Sequence, residues 1–255
     1  MVQPWQIGKV VGLEQENATT RRFWIELPAL TSFDFEPGQF VTIDLPIDEK
    51  PSKRWRSYSI ASWPDGSNVF ELVIVLLERG TGTEFLFNHV HVGTELTLRG
   101  AQGVFTLPEK IDRDLFFICT GTGVAPFRSM VHHILNHKIA HQNIYLIFGC
   151  RKFSDCLYRE ELTELEKKLD GFYYLPVFSR EMADDINKLV RIGYVHSIYE
   201  EILKNGLVSA DLGKEPVLKP AYFFLCGWKN MIAEAKQRIT ALGYEKKNIH
   251  QELYG

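Results

Sequence analysis

The sequence predicts two domains of different class, an antiparallel β-barrel followed by an α/β domain with a doubly wound parallel sheet. Before Pro108 the chain consists of short apolar runs separated by turn residues, which is typical of an antiparallel barrel. After Pro108 apolar runs alternate with segments of helical periodicity, which favours parallel strands joined by helices. We therefore place the first domain at residues 1–108 and the second at residues 109–255.

The barrel domain is predicted from its strands and from the turns between them. Pro37-Gly38 and Gly80-Thr-Gly82 are among the turn signals. A short helix is expected from Thr83 to His89, and the segment from Gly100 to Gly103 is expected to be a turn. The predicted strands are Ile7–Leu13, Arg22–Leu27, Gln39–Leu45, Arg56–Ser62, Val69–Leu77 and Thr94–Leu98.

The α/β domain follows from alternating strands and helices. Its predicted strands are Leu115–Cys119, Ile144–Phe148, Phe172–Val177 and Tyr222–Cys226. Helices are predicted at Phe127–His137, around Leu162, Leu165 and Leu169, at Tyr194–Leu203, and where Ile232, Ala235, Ile239 and Leu242 share one face. Residues 205–219 are expected to form a surface loop. Terminal residues are usually poorly ordered, but the apolar and aromatic tail is expected to dock.

Composition excludes several classes of protein. A net charge of −3 gives no bulk attraction for nucleic acid or for an anionic membrane. No run approaches the roughly 20 apolar residues that span a bilayer, and the N-terminus lacks the apolar core of a signal peptide. The four cysteines have neither zinc nor iron–sulfur spacing. We expect a reduced, cytoplasmic protein with no bound metal, since helical histidines such as His133, His137 and His141 are commonly solvent-facing.

The most informative motif is Gly121-Thr-Gly-Val-Ala-Pro-Phe-Arg-Ser129, which follows a predicted strand and opens a predicted helix. Pro126 suits the first turn of that helix because its missing N–H costs nothing there. Backbone N–H groups and the positive end of the helix dipole favour a phosphate above such a turn. A glycine turn by itself is equally consistent with a sharp loop, so the prediction depends on the other motifs.

Arg56-Ser-Tyr-Ser59 and Gly80-Thr-Gly-Thr83 are candidate phosphate-binding elements in the barrel. Strand alternation places Arg56 and Tyr58 on one face and Ser57 and Ser59 on the other. A guanidinium supplies a fork of donors to a pyrophosphate, although arginines on exposed strands are also common. The glycine turn adds backbone N–H groups and the hydroxyl of Thr83, although an ordinary helix N-cap at Gly82 or Thr83 explains the same residues equally well.

Two further motifs lie at the ends of predicted parallel strands, where ligands bind in such sheets. Ser179-Arg180 offers a hydroxyl and a cation to the 2′-phosphate that distinguishes NADPH from NADH, although a solvated loop arginine is the alternative. Cys226-Gly227 ends the last predicted strand, and its glycine permits a close approach of backbone to ligand.

Together these motifs resemble, in order and over nearly the whole chain, the ferredoxin–NADP⁺ reductase family, and its plant-type branch most closely. The resemblance implies an FAD-binding barrel, an NADP-binding α/β domain and an active site in the cleft between them. The residues that it assigns to FAD are Arg56, Ser57, Tyr58, Ser59, Gly80, Gly82 and Thr83. Those that it assigns to NADP(H) are Thr122, Gly123, Ala125, Pro126, Arg151, Ser179, Arg180, Gly227 and Met231.

The resemblance also implies four catalytic positions. Ser59 would hydrogen-bond near the flavin N5, and Cys226 would lie beside the nicotinamide C4. Glu252 matches the family's C-terminal acid, and Tyr254 matches the terminal aromatic that stacks on the flavin. Because a stacked tyrosine blocks the nicotinamide, it must swing aside for NADP⁺ to bind.

The implied function is electron transfer between NADP(H) and a separate one-electron carrier, ferredoxin or flavodoxin. Such carriers are acidic, so the basic residues Lys50, Lys53, Arg54 and Lys229 are candidate docking positions, or else ordinary surface charges. Three alternatives remain: an NADH-dependent reductase component of an oxygenase system, an NAD(P)H:flavin reductase, and a non-catalytic nucleotide-binding subunit or sensor.

Overall fold

The computed structural model describes residues 3–181, 191–205 and 218–254, apart from the side chains of Asn205 and Tyr254. Its internal contacts divide the chain into two compact units. The first unit comprises the chain up to Leu107 together with Ala125–His137, and the second comprises Pro108–Val124 and the chain from Lys138 onward. Most of the predicted surface loop at 205–219 lies outside the described residues.

The first unit contains a six-stranded antiparallel sheet, as the sequence predicts. Its strands are β1 (Gln6–Asn17), β2 (Thr20–Glu26), β3 (Phe40–Asp44), β4 (Trp55–Ser59), β5 (Val69–Val75) and β6 (Glu95–Gln102). They are ordered β4-β3-β6-β1-β2-β5. The two edges meet just after β4, where the N–H of Ala61 donates to the carbonyl of Glu71 at 2.8 Å. This hydrogen bond brings the ends of the sheet together in the manner of a barrel.

Side-chain alternation builds the core of this sheet. On β2, Phe23 and Ile25 are buried while Arg22 and Trp24 are partly exposed. Two short helices flank the sheet, α1 (Pro51–Arg54) and α2 (Thr81–His89). Helix α2 begins two residues before its predicted start, because Gly80 occupies the position that precedes the helix.

The turn predicted to begin at Gly100 was wrong, since β6 continues to Gln102. Gly100 has a φ of +141°, which favours glycine, and a Cβ there would lie 2.9 Å from the carbonyl oxygen of Phe40. The pairing of β3 with β6 also shifts register between Phe40 and Thr42. The glycine therefore permits an irregular strand to pass close to its neighbour. A glycine-containing strand of this kind has the same residues as a turn, which explains the wrong prediction.

The second unit contains a six-stranded sheet in which every strand pair is parallel, again as predicted. Its strands are β7 (Asp114–Thr120), β8 (Ile144–Cys150), β9 (Phe172–Phe178), β10 (Arg191–Ile192), β11 (Ala221–Trp228) and β12 (Ile249–Tyr254). Their order is β10-β9-β8-β7-β11-β12. The chain runs outward from β7 in one direction and later returns to β11 on the other side. The carboxyl ends of β7 and β11 therefore form a topological switch point, where ligands bind in this class of sheet.

The helices that follow the barrel strands are longer than α1 and α2. These four helices are α3 (Ala125–His137), α4 (Arg159–Lys168), α5 (Val195–Asn205) and α6 (Lys229–Ala241). Tyr199 of α5 and Ile232, Ala235 and Ile239 of α6 are buried against the second sheet, which explains their helical spacing. Across the ranges that the structure describes, every helix is too short or too polar to cross a bilayer.

The C-terminal segment is an ordered strand that pairs with β11 along its whole length. Its register places Glu252 opposite Cys226 and Tyr254 opposite Trp228. The tail therefore docks, as its apolar composition suggested, and it does so by adding a parallel strand to the sheet edge.

Candidate functional site

In the first unit, Arg56 lies across the N-terminal turn of α2. A Cβ added to Gly82 would lie 2.9 Å from the Nε of Arg56 and 3.0 Å from its Cγ. The two elements predicted to bind phosphate are therefore in contact, and a side chain at position 82 would displace the arginine. Among the residues that the structure describes, no side chain caps helix α2, so its first N–H groups are available to an anion.

The motif Arg56–Ser59 presents different groups on its two faces. One guanidinium nitrogen of Arg56 donates to the carbonyls of Lys53 at 2.8 Å and Trp55 at 2.9 Å, which fixes the side chain at the end of α1. Tyr58 is half-buried against the barrel core, and burial raises the pKa of its phenol, so the hydroxyl is neutral at physiological pH. Ser59 is buried.

Two hydroxyls predicted to bind flavin are engaged within the protein. Ser57 lies 3.0 Å from the hydroxyl of Thr42 on the neighbouring strand. The hydroxyl of Thr83 donates to the carbonyl of Gly80 at 3.0 Å and accepts from the N–H of Leu77 at 3.1 Å. Thr83 therefore shapes the turn that precedes α2, and the donors that this turn presents to a ligand are backbone N–H groups.

In the second unit, the turn after β7 is built by glycines. Gly121–Val124 form a 3₁₀ turn and α3 begins at Ala125, one residue before Pro126. Gly121 has a φ of +55°, and a Cβ added there meets no atom of the described residues within 4 Å. A Cβ on Gly123, by contrast, would collide with the carbonyl oxygen of Cys226.

A matching glycine lies at the end of β11. Gly227 has a φ of +146°, and a Cβ there would collide with the hydroxyl of Thr120 and approach the Cε of Met231 to 3.2 Å. The ends of β7 and β11 therefore touch through glycine backbone at the switch point, while space remains beside Gly121. This small cradle, lined by backbone, is a candidate site for the pyrophosphate of a dinucleotide.

Cys226 and Glu252 are brought together at this carboxyl edge. Cys226 is buried, and its Sγ lies 4.0 Å from Oε2 of Glu252, within the range of a hydrogen bond from sulfur. Glu252 is half-buried. Tyr254 continues the same strand, but its side chain lies outside the described residues. Ser59, the fourth predicted catalytic residue, belongs to the first unit.

The ends of β8 and β9 bring Ser179 and Arg180, which are predicted to bind the 2′-phosphate, beside Arg151, which is predicted to bind NADP(H). The N–H of Ser179 donates to the carbonyl of Cys150 at 3.0 Å, and the N–H of Arg180 donates to the carbonyl of Arg151 at 2.9 Å. Arg151 and Arg180 are both exposed. Two guanidinium groups on adjacent chain segments suit a doubly charged phosphate.

Arg128 is the residue of the phosphate-turn motif whose role the sequence did not reveal. It is buried in the first unit, where it donates to the carbonyl of Ala61 at 2.9 Å and pairs with Glu71 at 3.0 Å. Arg22 pairs with the same carboxylate at 2.6 Å. The sequence signal for the burial of Arg128 is the position of this charged residue among the apolar residues of a predicted helix. Arg128 thereby holds the backbone two residues beyond Ser59.

Comparison with known proteins gives two family matches. Residues 8–107 match the oxidoreductase FAD-binding domain, and residues 117–237 match the oxidoreductase NAD-binding domain. The first range contains Arg56 and the α2 turn, and the second contains the glycine cradle and Cys226. The FAD-binding match therefore lies in the predicted barrel, and the NAD-binding match lies in the predicted α/β domain.

Individual relatives agree with this assignment. The chain is 34% identical to ferredoxin–NADP reductase B of Sorangium cellulosum over 88% of its own length and 86% of the relative. It is 27% identical to the anthranilate 1,2-dioxygenase electron transfer component of Acinetobacter baylyi, over 96% of its length and 66% of that protein. The chain thus spans about two thirds of the oxygenase components that it matches.

Solved structures share the fold. The chain aligns with a cytochrome P450 reductase from Amycolatopsis at a TM-score of 0.82 and 23% identity, covering 99% of this chain and 71% of that one. It aligns with a ferredoxin NADP⁺ reductase from Neisseria gonorrhoeae, solved with bound FAD and NADP, at a TM-score of 0.76 and 24% identity, covering 98% of each chain. With the fold, the two domain matches and the relative from Sorangium taken together, the chain belongs to the ferredoxin–NADP⁺ reductase family of FAD- and NAD(P)-binding flavoenzymes.

Proposed function

We propose that this enzyme transfers electrons between NADP(H) and a separate one-electron carrier, a ferredoxin or a flavodoxin. The observation that carries the proposal is the glycine-built junction at the switch point, where Gly123 packs on Cys226 and Glu252 lies opposite. FAD, when bound, supplies the hydride and single-electron chemistry that the side chains of a protein lack.

The residues of the first unit would hold the flavin. Arg56 and the N-terminal turn of α2 would bind its pyrophosphate, because a guanidinium and uncapped N–H groups converge there. Tyr58 would pack against the isoalloxazine ring as a neutral phenol. Ser59 would donate a hydrogen bond near N5, in a position supported by the contact of Arg128 with Ala61.

The residues of the second unit would position the nicotinamide nucleotide. The turn of Thr122 and Gly123, with Ala125 and Pro126 opening α3, would bind its pyrophosphate. The thiol of Cys226 would exclude water beside the nicotinamide. Glu252 would orient that thiol by accepting a hydrogen bond from it. Tyr254 would cover the flavin until the nicotinamide displaces it.

Exchanging Ser179 and Arg180 together for alanine tests the preference for NADPH. The double variant should bind NADPH more weakly by about 2–4 kcal/mol, the cost of a lost charged contact, while binding of NADH changes little. Arg113→Ala is the matched control, because it removes an arginine from the amino end of β7, at the edge of the sheet opposite the proposed site. Titration of each variant with both cofactors gives the affinities. Equal losses for NADPH and NADH would contradict the 2′-phosphate assignment.

The whole function is tested by mixing the purified, FAD-loaded protein anaerobically with NADPH or NADH and following the visible absorbance of the flavin. Fast bleaching by NADPH and much slower bleaching by NADH is the expected result. Bleaching at least as fast with NADH would favour the second candidate, a reductase component of an oxygenase system. That candidate is supported by the oxygenase electron transfer components among the relatives.

The carrier would dock through basic residues, and the structure narrows the candidates. Lys53 pairs with Asp48 at 3.5 Å, and Arg54 pairs with Asp44 at 2.8 Å. Both cations are therefore partly neutralised by their own unit. Lys50 and Lys229, which precede α1 and begin α6, remain the stronger candidates for contact with an acidic carrier.

A further inference from the structure

Two cysteines that the proposed function does not use lie at the two ends of one short loop in the second unit. Cys150 is the last residue of β8, and Cys156 directly follows a 3₁₀ turn at Phe153–Asp155. Both are free thiols, and their side chains hydrogen-bond to each other. The loop of residues 151–155 therefore begins after one of these cysteines and ends before the other.

The surroundings of the two sulfurs differ. The Sγ of Cys156 lies 3.0 Å from the hydroxyl of Tyr174, and Arg159 places a positive charge nearby. The hydrogen bond from Cys150, with smaller contributions from Tyr174 and Arg159, lowers the pKa of the Cys156 thiol. The same hydrogen bond, together with burial, raises the pKa of Cys150. Cys156 is also partly exposed, whereas Cys150 is buried.

This asymmetry is what a peroxide-sensitive thiol pair requires, one reactive and reachable sulfur beside a second that can resolve it. We propose that Cys150 and Cys156 are an oxidative modification site, at which a hydroperoxide such as hydrogen peroxide forms a disulfide that weakens binding of NADP(H). The effect on NADP(H) depends on the proposed function of the second unit, whereas formation of the disulfide does not.

The disulfide between Cys150 and Cys156 forms in two steps. The thiolate of Cys156 attacks one oxygen of hydrogen peroxide, the O–O bond breaks, and the departing hydroxide takes up a proton to give water. The sulfenic acid left on Cys156 is then attacked by the sulfur of Cys150. The S–S bond forms as the S–O bond breaks, and the proton from Cys150 completes a second water. Two electrons pass from the two thiols to one peroxide.

The loop joins this thiol pair to the proposed 2′-phosphate site. The carbonyls of Cys150 and Arg151 accept the N–H groups of Ser179 and Arg180. A disulfide of about 2.0 Å holds two sulfurs much closer than two hydrogen-bonded thiols. We expect its formation to draw the two ends of the loop together and to weaken the hydrogen bonds that place Ser179 and Arg180.

A second contact ties the middle of the loop to the same segment. The carboxylate of Glu181 accepts a hydrogen bond from the N–H of Phe153 at 2.6 Å. The loop is therefore attached to residues 179–181 at both its start and its middle. A change of its shape cannot be confined to the two cysteines.

Oxidation is tested on the intact FAD-loaded protein with a small excess of hydrogen peroxide. The remaining thiols are then alkylated and the peptides mapped by mass. We expect the peptide or peptides that hold Cys150 and Cys156 to lose two hydrogens and to regain them with dithiothreitol. Cys119 should stay a free thiol, because burial raises its pKa and excludes peroxide. Oxidation of Cys119 or Cys226 in place of the pair would overturn the assignment.

Single variants separate the roles of the two sulfurs. Cys150→Ser should leave Cys156 with one added oxygen and no disulfide, while Cys156→Ser should leave Cys150 unmodified. Tyr174→Phe should slow oxidation, since it removes a hydrogen bond to the Cys156 sulfur. Cys119→Ser serves as the control and should oxidise like the parent protein. A Cys156→Ser variant that oxidises at Cys150 at the parent rate would contradict the order of reaction.

Titration with NADP⁺ before and after oxidation tests the consequence. The dissociation constant should rise about tenfold in the disulfide form, as for the loss of one or two modest hydrogen bonds. It should be unchanged by peroxide in the Cys150→Ser, Cys156→Ser double variant. An unchanged constant in the disulfide form would overturn the regulatory role. Failure of the reduced protein to bind NADP⁺ would instead contradict the proposed function, and the mass measurement would still decide the thiol site.

Discussion

Replacing Gly123 by alanine is expected to slow reduction of the flavin by NADPH about 100-fold or more, the scale of loss that a misplacement of about 1 Å produces. The reason is steric, because a Cβ at this position would collide with the carbonyl oxygen of Cys226. Either the phosphate turn or the end of β11 must move, and both are proposed to position the nicotinamide nucleotide. Anaerobic stopped-flow absorbance measures the rate directly.

The control for this variant is Gly66→Ala. Gly66 also has a positive φ, +84°, but an added Cβ there meets no atom within 4 Å in the described part of the chain. The control therefore carries backbone strain in the first unit without touching the nucleotide turn. Both variants should keep their flavin, since the proposed FAD residues are unaltered. A Gly123→Ala protein that is reduced as fast as the parent would show that the junction with Cys226 does not position the nucleotide.

Exchanging Glu71 for glutamine is expected to cost about 3–5 kcal/mol of the free energy of unfolding, because it removes a buried carboxylate that pairs with two arginines. Glu71 is 3% exposed and pairs with Arg22 at 2.6 Å and with Arg128 at 3.0 Å. Unfolding by urea, followed by circular dichroism, gives the change. The slope of the transition with denaturant shows whether the variant still unfolds in one step.

The matched control is Glu14→Gln, which contacts the same Arg22 from the surface. Its carboxylate lies 3.4 Å from Arg22, and the side chain is 59% exposed. An exposed ion pair of this kind contributes about 0–1 kcal/mol. Similar losses in the two variants would mean that burial of Glu71 does not determine the strength of the network.

The fold could be predicted from sequence because its signals are local. Short apolar runs with turns between them gave the antiparallel sheet, and the nearly continuous apolar run from Leu115 to Cys119 gave a strand buried on both faces. Strand β12 could not be assigned in the same way. A parallel edge strand is stabilised by its partner, so six terminal residues carry no local pattern that fixes their pairing.

The features of the candidate site also divide into those that lie in one segment and those that depend on contacts between distant segments. The glycine turn and the arginine motif were evident because each is one contiguous segment. The contact of Arg56 with Gly82, and the pairing of Cys226 with Glu252, depend on register between distant segments. The hydrogen bonds of the Thr83 hydroxyl and the pairing of Arg128 with Glu71 likewise depend on tertiary structure, since the sequence does not show which partner each side chain will meet.

The grouping of Ala125–His137 with the barrel strands has a consequence for anyone who wishes to dissect or recombine this protein. A fragment that stops at residue 108 would contain every barrel strand and still lack part of its own interior. Glu71 would lose Arg128, the carbonyl of Ala61 would lose its donor, and Phe105 would lose the ring of Phe127. The two halves are therefore not interchangeable modules. A chimaera that keeps this barrel should keep its own α3 as well, even when the rest of the nucleotide-binding half is exchanged.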